Sequence, residues 1–226
     1  MSHAVVVALD GRALVTAPPA HVPCGRTVLW ESPVTLLVFG LVIFLGLHSV
    51  RIFGESGRDR SIARMGEGAW KGVYSLLSLA GFVMIVWGFG EARASAPLLW
   101  APPIFTRHIA LTLMLISLIL LASYGLKRSH IAVAVHHPML WAVVVWSAAH
   151  LLANGSAADV VLFGAFLVWS LLDLSSNYAR DRRKGVVYPA PNWGATIAAI
   201  AVGAVLWVVL LGGLHRYLFG VSPLAM

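Results

Sequence analysis

The chain has 226 residues, of which 59% are hydrophobic and 11% charged, whereas a soluble domain carries roughly 25% charged residues; a mean hydropathy of +0.85 belongs to a lipid-embedded protein. The net charge of +7 does not point to nucleic acid, because the basic residues sit in short connections between apolar runs, where they act as topology signals facing anionic lipid. The single cysteine, Cys24, excludes an intrachain disulfide and any Cys-based zinc or iron–sulfur cage, and without a Cys-x-x-Cys-His sequence covalent haem attachment is excluded too.

Residues 1–31 contain Pro18, Pro19 and Pro23 and lack a basic start followed by an apolar core and a cleavage site. They read as a flexible tail, not a signal peptide. Residues 32–220 then form the membrane domain. Its fold class is all-α, a polytopic bundle of about six transmembrane helices, because lipid offers an unpaired backbone no hydrogen-bond partner.

The expected spans are 33–53, 71–91, 102–126, 138–154, 157–175 and 194–219. Pro33, Pro102, Pro103 and Pro138 mark helix starts, where a missing N–H does no harm. Gly68 and Gly72 have the spacing that lets the second helix pack closely. Asn154-Gly155 reads as a sharp turn, since both residues tolerate left-handed angles, and makes helices four and five a tight hairpin. Trp30, Trp70, Trp100, Trp141 and Trp193 fall near span ends as an interfacial belt.

Eleven of the 16 Lys and Arg residues lie in the first, third and fifth connections, and five lie on the other side. The positive-inside rule makes those three connections cytoplasmic and both termini external. No internal repeat is visible, which speaks against a transporter built of matched halves.

Carboxylates are nearly absent from the spans, Asp173 near the end of the fifth being the candidate. Histidine stands out instead, as His48, His108, His137 and His150. Taken singly, each reads as a hydrogen-bonded structural residue. As a set they point to ligation or proton handling, because a bundle so poor in polar groups gains little by burying several imidazoles. His137 and His150 lie about 140° apart around one helix and ~20 Å apart along it, so each needs a partner on another helix. Depth places His48, His137 and Asp173 toward the cytoplasmic side and His108, His150 and Asn154 toward the outside. That favours pairing His48 with His137 and His108 with His150, while helix tilt keeps His48 with His150 open.

The segments Arg-Met-Gly-Glu-Gly-Ala-Trp-Lys-Gly (64–72), His48-Ser49, Arg107-His108, His137-Pro138-Met139, Ala149-His150-Leu-Leu-Ala-Asn154-Gly155 and Trp169-Ser-Leu-Leu-Asp173 occur in one order. Together they resemble the NnrU family over roughly residues 33–219. The resemblance implies an integral protein of the bacterial inner membrane associated with denitrification and nitric oxide reduction, as a redox protein or as an accessory to nitric oxide reductase. A related plant branch, the 15-cis-zeta-carotene isomerase, implies a zeta-carotene-isomerase-like enzyme as the alternative function; it is an enzyme with haem b held by two histidines. Matched by motif, these are His48 and His150, with His137, His108, Asp173 and Asn154 as surrounding groups or alternative ligands. Ser147 stands where the isomerase branch can offer a cysteine, which puts thiolate ligand exchange in doubt and leaves bis-histidine ligation intact.

Overall fold

The computed structural model describes residues 8–9, 12–13 and 33–224. The chain divides into two units, residues 1–31 and 32–226. In the first, Ala8–Leu9 (β1) pairs antiparallel with Arg12–Ala13 (β2). The rest of the expected tail, with Trp30 and Cys24, lies outside the described residues.

The second unit is helical. Its elements are α1 (Pro33–His48), α2 (Val50–Phe53), α3 (Glu55–Met65), α4 (Glu67–Ser95), α5 (Ile104–Gly125), α6 (His130–Val135), α7 (Pro138–Ala153), α8 (Ala157–Lys184), α9 (Trp193–Val209) and α10 (His215–Phe219). Each expected span has its helix. Glu67–Ser95, Ile104–Gly125, Ala157–Lys184 and Trp193–Phe219 are long and apolar enough to cross a membrane, and α1 and α7 are shorter apolar helices. The protein is therefore a helical membrane bundle.

Helix lengths depart from the expected spans for local reasons. The first is interrupted at the single residue Ser49 (φ −79°, ψ −10°) and resumes as α2, which ends at Phe53 where the expected span ends. The fifth runs nine residues past 175, to Lys184. At its start a capping box joins Ser156 and Asp159, and at its end Arg182, Arg183 and Lys184 meet the negative pole of the helix before Gly185 in the left-handed region. With 28 residues it spans about 42 Å, longer than a ~30 Å hydrocarbon core, while the 16 residues of α1 and of α7 span only about 24 Å. The sixth is interrupted by a π-helical turn, Leu210–Leu214, in which Gly213 takes φ 133°. The redirected α10 then offers its Phe219 carbonyl to Arg93 at the end of α4, 3.3 Å away.

Packing follows the order α4, α1, α8, α7, α5, α9, each touching the next. The closest approach is α1 on α4. A Cβ on Gly88 would stand 2.4 Å from the Leu37 nitrogen, on Gly40 2.6 Å from that of Ile85, and on Gly81 2.9 Å from that of Phe44. These pairings descend along α4 as they climb along α1, so the helices are antiparallel. Nothing lies within 4 Å of a Cβ on Gly68 or Gly72. Continued at the same register, their partners would fall beyond His48, where the chain has already turned away. Leu37, Leu41, Ile85, Ala92, Leu162 and Phe163 form the core between α1, α4 and α8.

The α7–α8 hairpin is present, on different grounds from those expected. Asn154 is extended, at φ −128° and ψ 146°, and Gly155 is not among the residues with positive φ. Glycine is required at 155 because the 97–100 segment lies against it: its carbonyl accepts the Leu99 N–H at 2.8 Å, and a Cβ there would stand 1.9 Å from the Trp100 oxygen.

Candidate functional site

Between α1 and α8 the backbones stand apart, and aromatic side chains fill the interval. Phe44 lies 6.1 Å from Phe166 and His48 6.1 Å from Trp169, ring centre to ring centre, so α1 and α8 run parallel. On the other flank Trp146 lies 5.5 Å from Phe166, while His150 stacks on Phe163 at 4.5 Å. The order is reversed, so α7 is antiparallel to both. A seam of rings thus runs from His48 through Phe44, Phe166 and Trp146 to His150.

The two histidines ending this seam are built alike. His48 Nδ1 is 2.7 Å from the Phe44 carbonyl, and His150 Nδ1 is 2.9 Å from the Trp146 carbonyl, each four residues earlier in its helix. A carbonyl only accepts, so Nδ1 carries the hydrogen and Nε2 keeps its lone pair. Each ring lies against the aromatic side chain of the same earlier residue, 4.3 Å from Phe44 and 5.2 Å from Trp146. Their neighbours on α8, Trp169 and Phe163, are six residues or ~9 Å apart along the helix. Because helical side chains lean toward their own N-terminus and α1 opposes α7, the imidazoles lean toward one another across that difference in depth.

His137 lies elsewhere. It caps α7 beside the end of α8, with Nε2 2.8 Å from Asp181 Oδ2 and its ring edge-on to Tyr178 at 5.1 Å. Around it Tyr178 donates to the Val135 carbonyl and accepts from the Trp141 indole, at 2.7 and 2.9 Å. Tyr188 donates to Asp181 and stacks on His136, which bends the α6–α7 junction with φ 61°. Burial, with the hydrogen bond and charge of Asp181, pushes the Tyr188 phenol up to about 12. His108 is on the exposed face of α5, which packs on α7 and α9. The depth-based pairs, His48 with His137 and His108 with His150, are not drawn into the seam together.

Asp173 sits one turn beyond Trp169 and accepts from Asn177 Nδ2 at 2.9 Å. Asn177 in turn accepts from Arg180, whose side chain donates as well to the Arg51 carbonyl, at 2.9 and 3.1 Å. Arg180 is only 4% exposed, and a cation so buried needs an opposite charge within reach; Asp173 supplies it. Asn154 donates to the His150 carbonyl at 2.9 Å and so braces the helix end, not the imidazole.

A model of the family described as NnrU protein matches residues 36–223. The chain belongs to the NnrU family. No curated protein and no solved structure matches it.

For this NnrU protein the donor chemistry of His48 and His150 fits haem iron, which takes neutral imidazole nitrogen. Of the buried polar atoms without a hydrogen-bond partner among the described residues, Ser147 Oγ is on α7 and Trp169 Nε1 on α8, beside His48, and such atoms call for a ligand or water. Among the described residues no group of three His, Cys, Asp or Glu could hold a metal ion. Sequence reasoning passed over Phe44, Trp146, Phe163, Phe166 and Trp169. A signal existed: an aromatic residue four positions before a histidine occurs in both α1 and α7. Asp159 was passed over as well, and is 7% exposed in the capping box of α8.

Proposed function

We propose that this NnrU protein binds haem b in the aromatic seam, with His48 and His150 as the axial ligands. The observation that carries the reading is the matched pair of Nδ1 contacts to carbonyls, which leaves the Nε2 of each imidazole available at the two ends of one aromatic seam. Bound haem would supply an iron centre capable of redox change. The protein's part is to fix both imidazole tautomers, exclude water with Phe44, Phe166 and Trp146, and offer the Trp169 N–H to a polar group of the ligand. By the family resemblance, the protein serves nitric oxide reduction in a bacterial inner membrane, as a redox component or as an accessory to the reductase. The lysine and arginine distribution puts the end carrying Arg180–Lys184 in the cytoplasm.

The test is the absorption spectrum of protein purified from haem-replete cells. A Soret band is expected in the wild type and in His108→Ala, and its loss in His48→Ala and His150→Ala. A wild type without that band, or a band untouched in both ligand variants, refutes the proposal. The accessory role is tested by gene deletion, with reductase subunit levels followed beside nitric oxide consumption; unchanged consumption excludes it.

A further inference from the structure

At the basic end of α1 a cavity of about 230 Å³ is lined by His48, Arg51, Arg58, Lys71, Trp70 and Tyr74. Pockets for whole drug-sized ligands run to roughly 300–1,000 Å³, so this one is sized for the head of a ligand. Its charge is one-sided. Glu67, the carboxylate on its wall, is taken up by Lys71 at 2.7 Å, and Arg58 touches Asp59 at 3.0 Å on the exposed side. Among the described residues no carboxylate lies within 4 Å of Arg51. His48 belongs both to this cavity and to the aromatic seam, where its ring meets Tyr74 at 5.5 Å and Trp169 at 6.1 Å. The seam is apolar, the cavity cationic, and one imidazole joins them.

We infer that the cavity seats the anionic head of the ligand whose flat body lies in the seam: Arg51 and Arg58, aided by Lys71, hold the carboxylates of the haem. This rests on the haem reading above and adds the orientation, with the propionate edge at the basic end. Guanidinium suits the task, because its planar fork meets a carboxylate in two parallel hydrogen bonds.

The experiment titrates apoprotein in dodecyl maltoside micelles with haem b and, separately, with haem b dimethyl ester, whose carboxylates are blocked. Because the ester partitions more strongly into micelles, the decisive quantity is how the ratio of the two affinities changes on substitution. Arg51→Gln with Arg58→Gln should lower the preference for the free acid roughly tenfold and leave ester binding unchanged. An unchanged ratio overturns the inference. Should the double variant lose both ligands through misfolding, Lys71→Gln on the exposed rim must still lower the ratio, and its failure to do so overturns the inference as well. A wild type that shifts the Soret band of neither compound from its position in protein-free micelles removes the haem reading itself, and a wild type that binds both with a ratio insensitive to these cations removes only the orientation.

Discussion

Gly88→Ala is the sharpest test of the α1–α4 register. The new methyl would stand 2.4 Å from the Leu37 nitrogen and 2.8 Å from the Leu36 carbonyl carbon, both backbone atoms that no rotamer change can move, whereas ordinary contact begins at 3.4 Å. Helix α1 must therefore retreat by about 1 Å, and a gap of that size forfeits a quarter to a half of each dispersion contact along Leu37, Leu41 and Ile85. Overpacking of this kind costs about 1–3 kcal/mol. Exchanging Gly for Ala in a helix returns about 0.5–1 kcal/mol, and the control removes that term: Gly90 lies in the same helix with nothing within 4 Å of its Cβ. The stability difference between Gly88→Ala and Gly90→Ala is thus the clash alone, about 1–3 kcal/mol. It is read by circular dichroism during unfolding in mixed dodecyl maltoside and dodecyl sulfate micelles. Equal stability of the two variants would falsify the close approach.

Three further outcomes follow from the rest of the bundle. Arg180→Met removes the donor to Asn177 Oδ1 and to the Arg51 carbonyl and one of the cations facing Asp173 and should lower stability by roughly 1–3 kcal/mol, part of which returns with Asp173→Asn in the same chain; a double variant no better than the single one would contradict the pairing. Tyr188 should ionise near pH 12 in a tyrosinate absorbance titration, and Asp181→Asn should bring it down, because both the carboxylate's charge and its hydrogen bond favour the neutral phenol. Since the folded value is raised, this contribution to stability is complete below the unfolded value of about 10 and is lost as pH rises through about 12. Gly155→Ala drives a Cβ to 1.9 Å from the Trp100 oxygen and should expose residues 97–103 to limited proteolysis, while Gly164→Ala, with open space around it, should not.

The spans were legible because apolar runs of bilayer length leave the backbone no alternative to helix, and prolines at 33, 103 and 138 mark or immediately precede starts as expected. Glycine was misread twice, for the same reason. Spacing along one helix says that a close approach is possible, but the partner decides where it happens, so Gly68 and Gly72 stand clear while Gly81 and Gly88 meet Phe44 and Leu37. At Gly155 the demand came from Trp100, over fifty residues earlier, and no local pattern carries that. The one-residue interruption at Ser49 was missed because no glycine or proline marks it.

The histidines were visible as a set and the family motifs paired His48 with His150, but depth alone favoured other pairs, because depth is a coordinate along the membrane normal and neighbourhood is a coordinate across it. Depth grouped His48 with His137, yet the packing order puts His137 against the far end of α8, where Asp181 takes its Nε2. What ties His48 to His150 is a ring on α8, Phe166, that touches the aromatic partner of each. The pairing therefore depends on three helices at once, two parallel and one opposed, and on side chains that lean back along their own helices. Had α7 run parallel to α1, the same two residues at the same depths would lean the same way along the membrane normal. The antiparallel setting of α7, fixed by the short turn at 154–156, is what brings two separate helix-end histidines to the two ends of one aromatic seam.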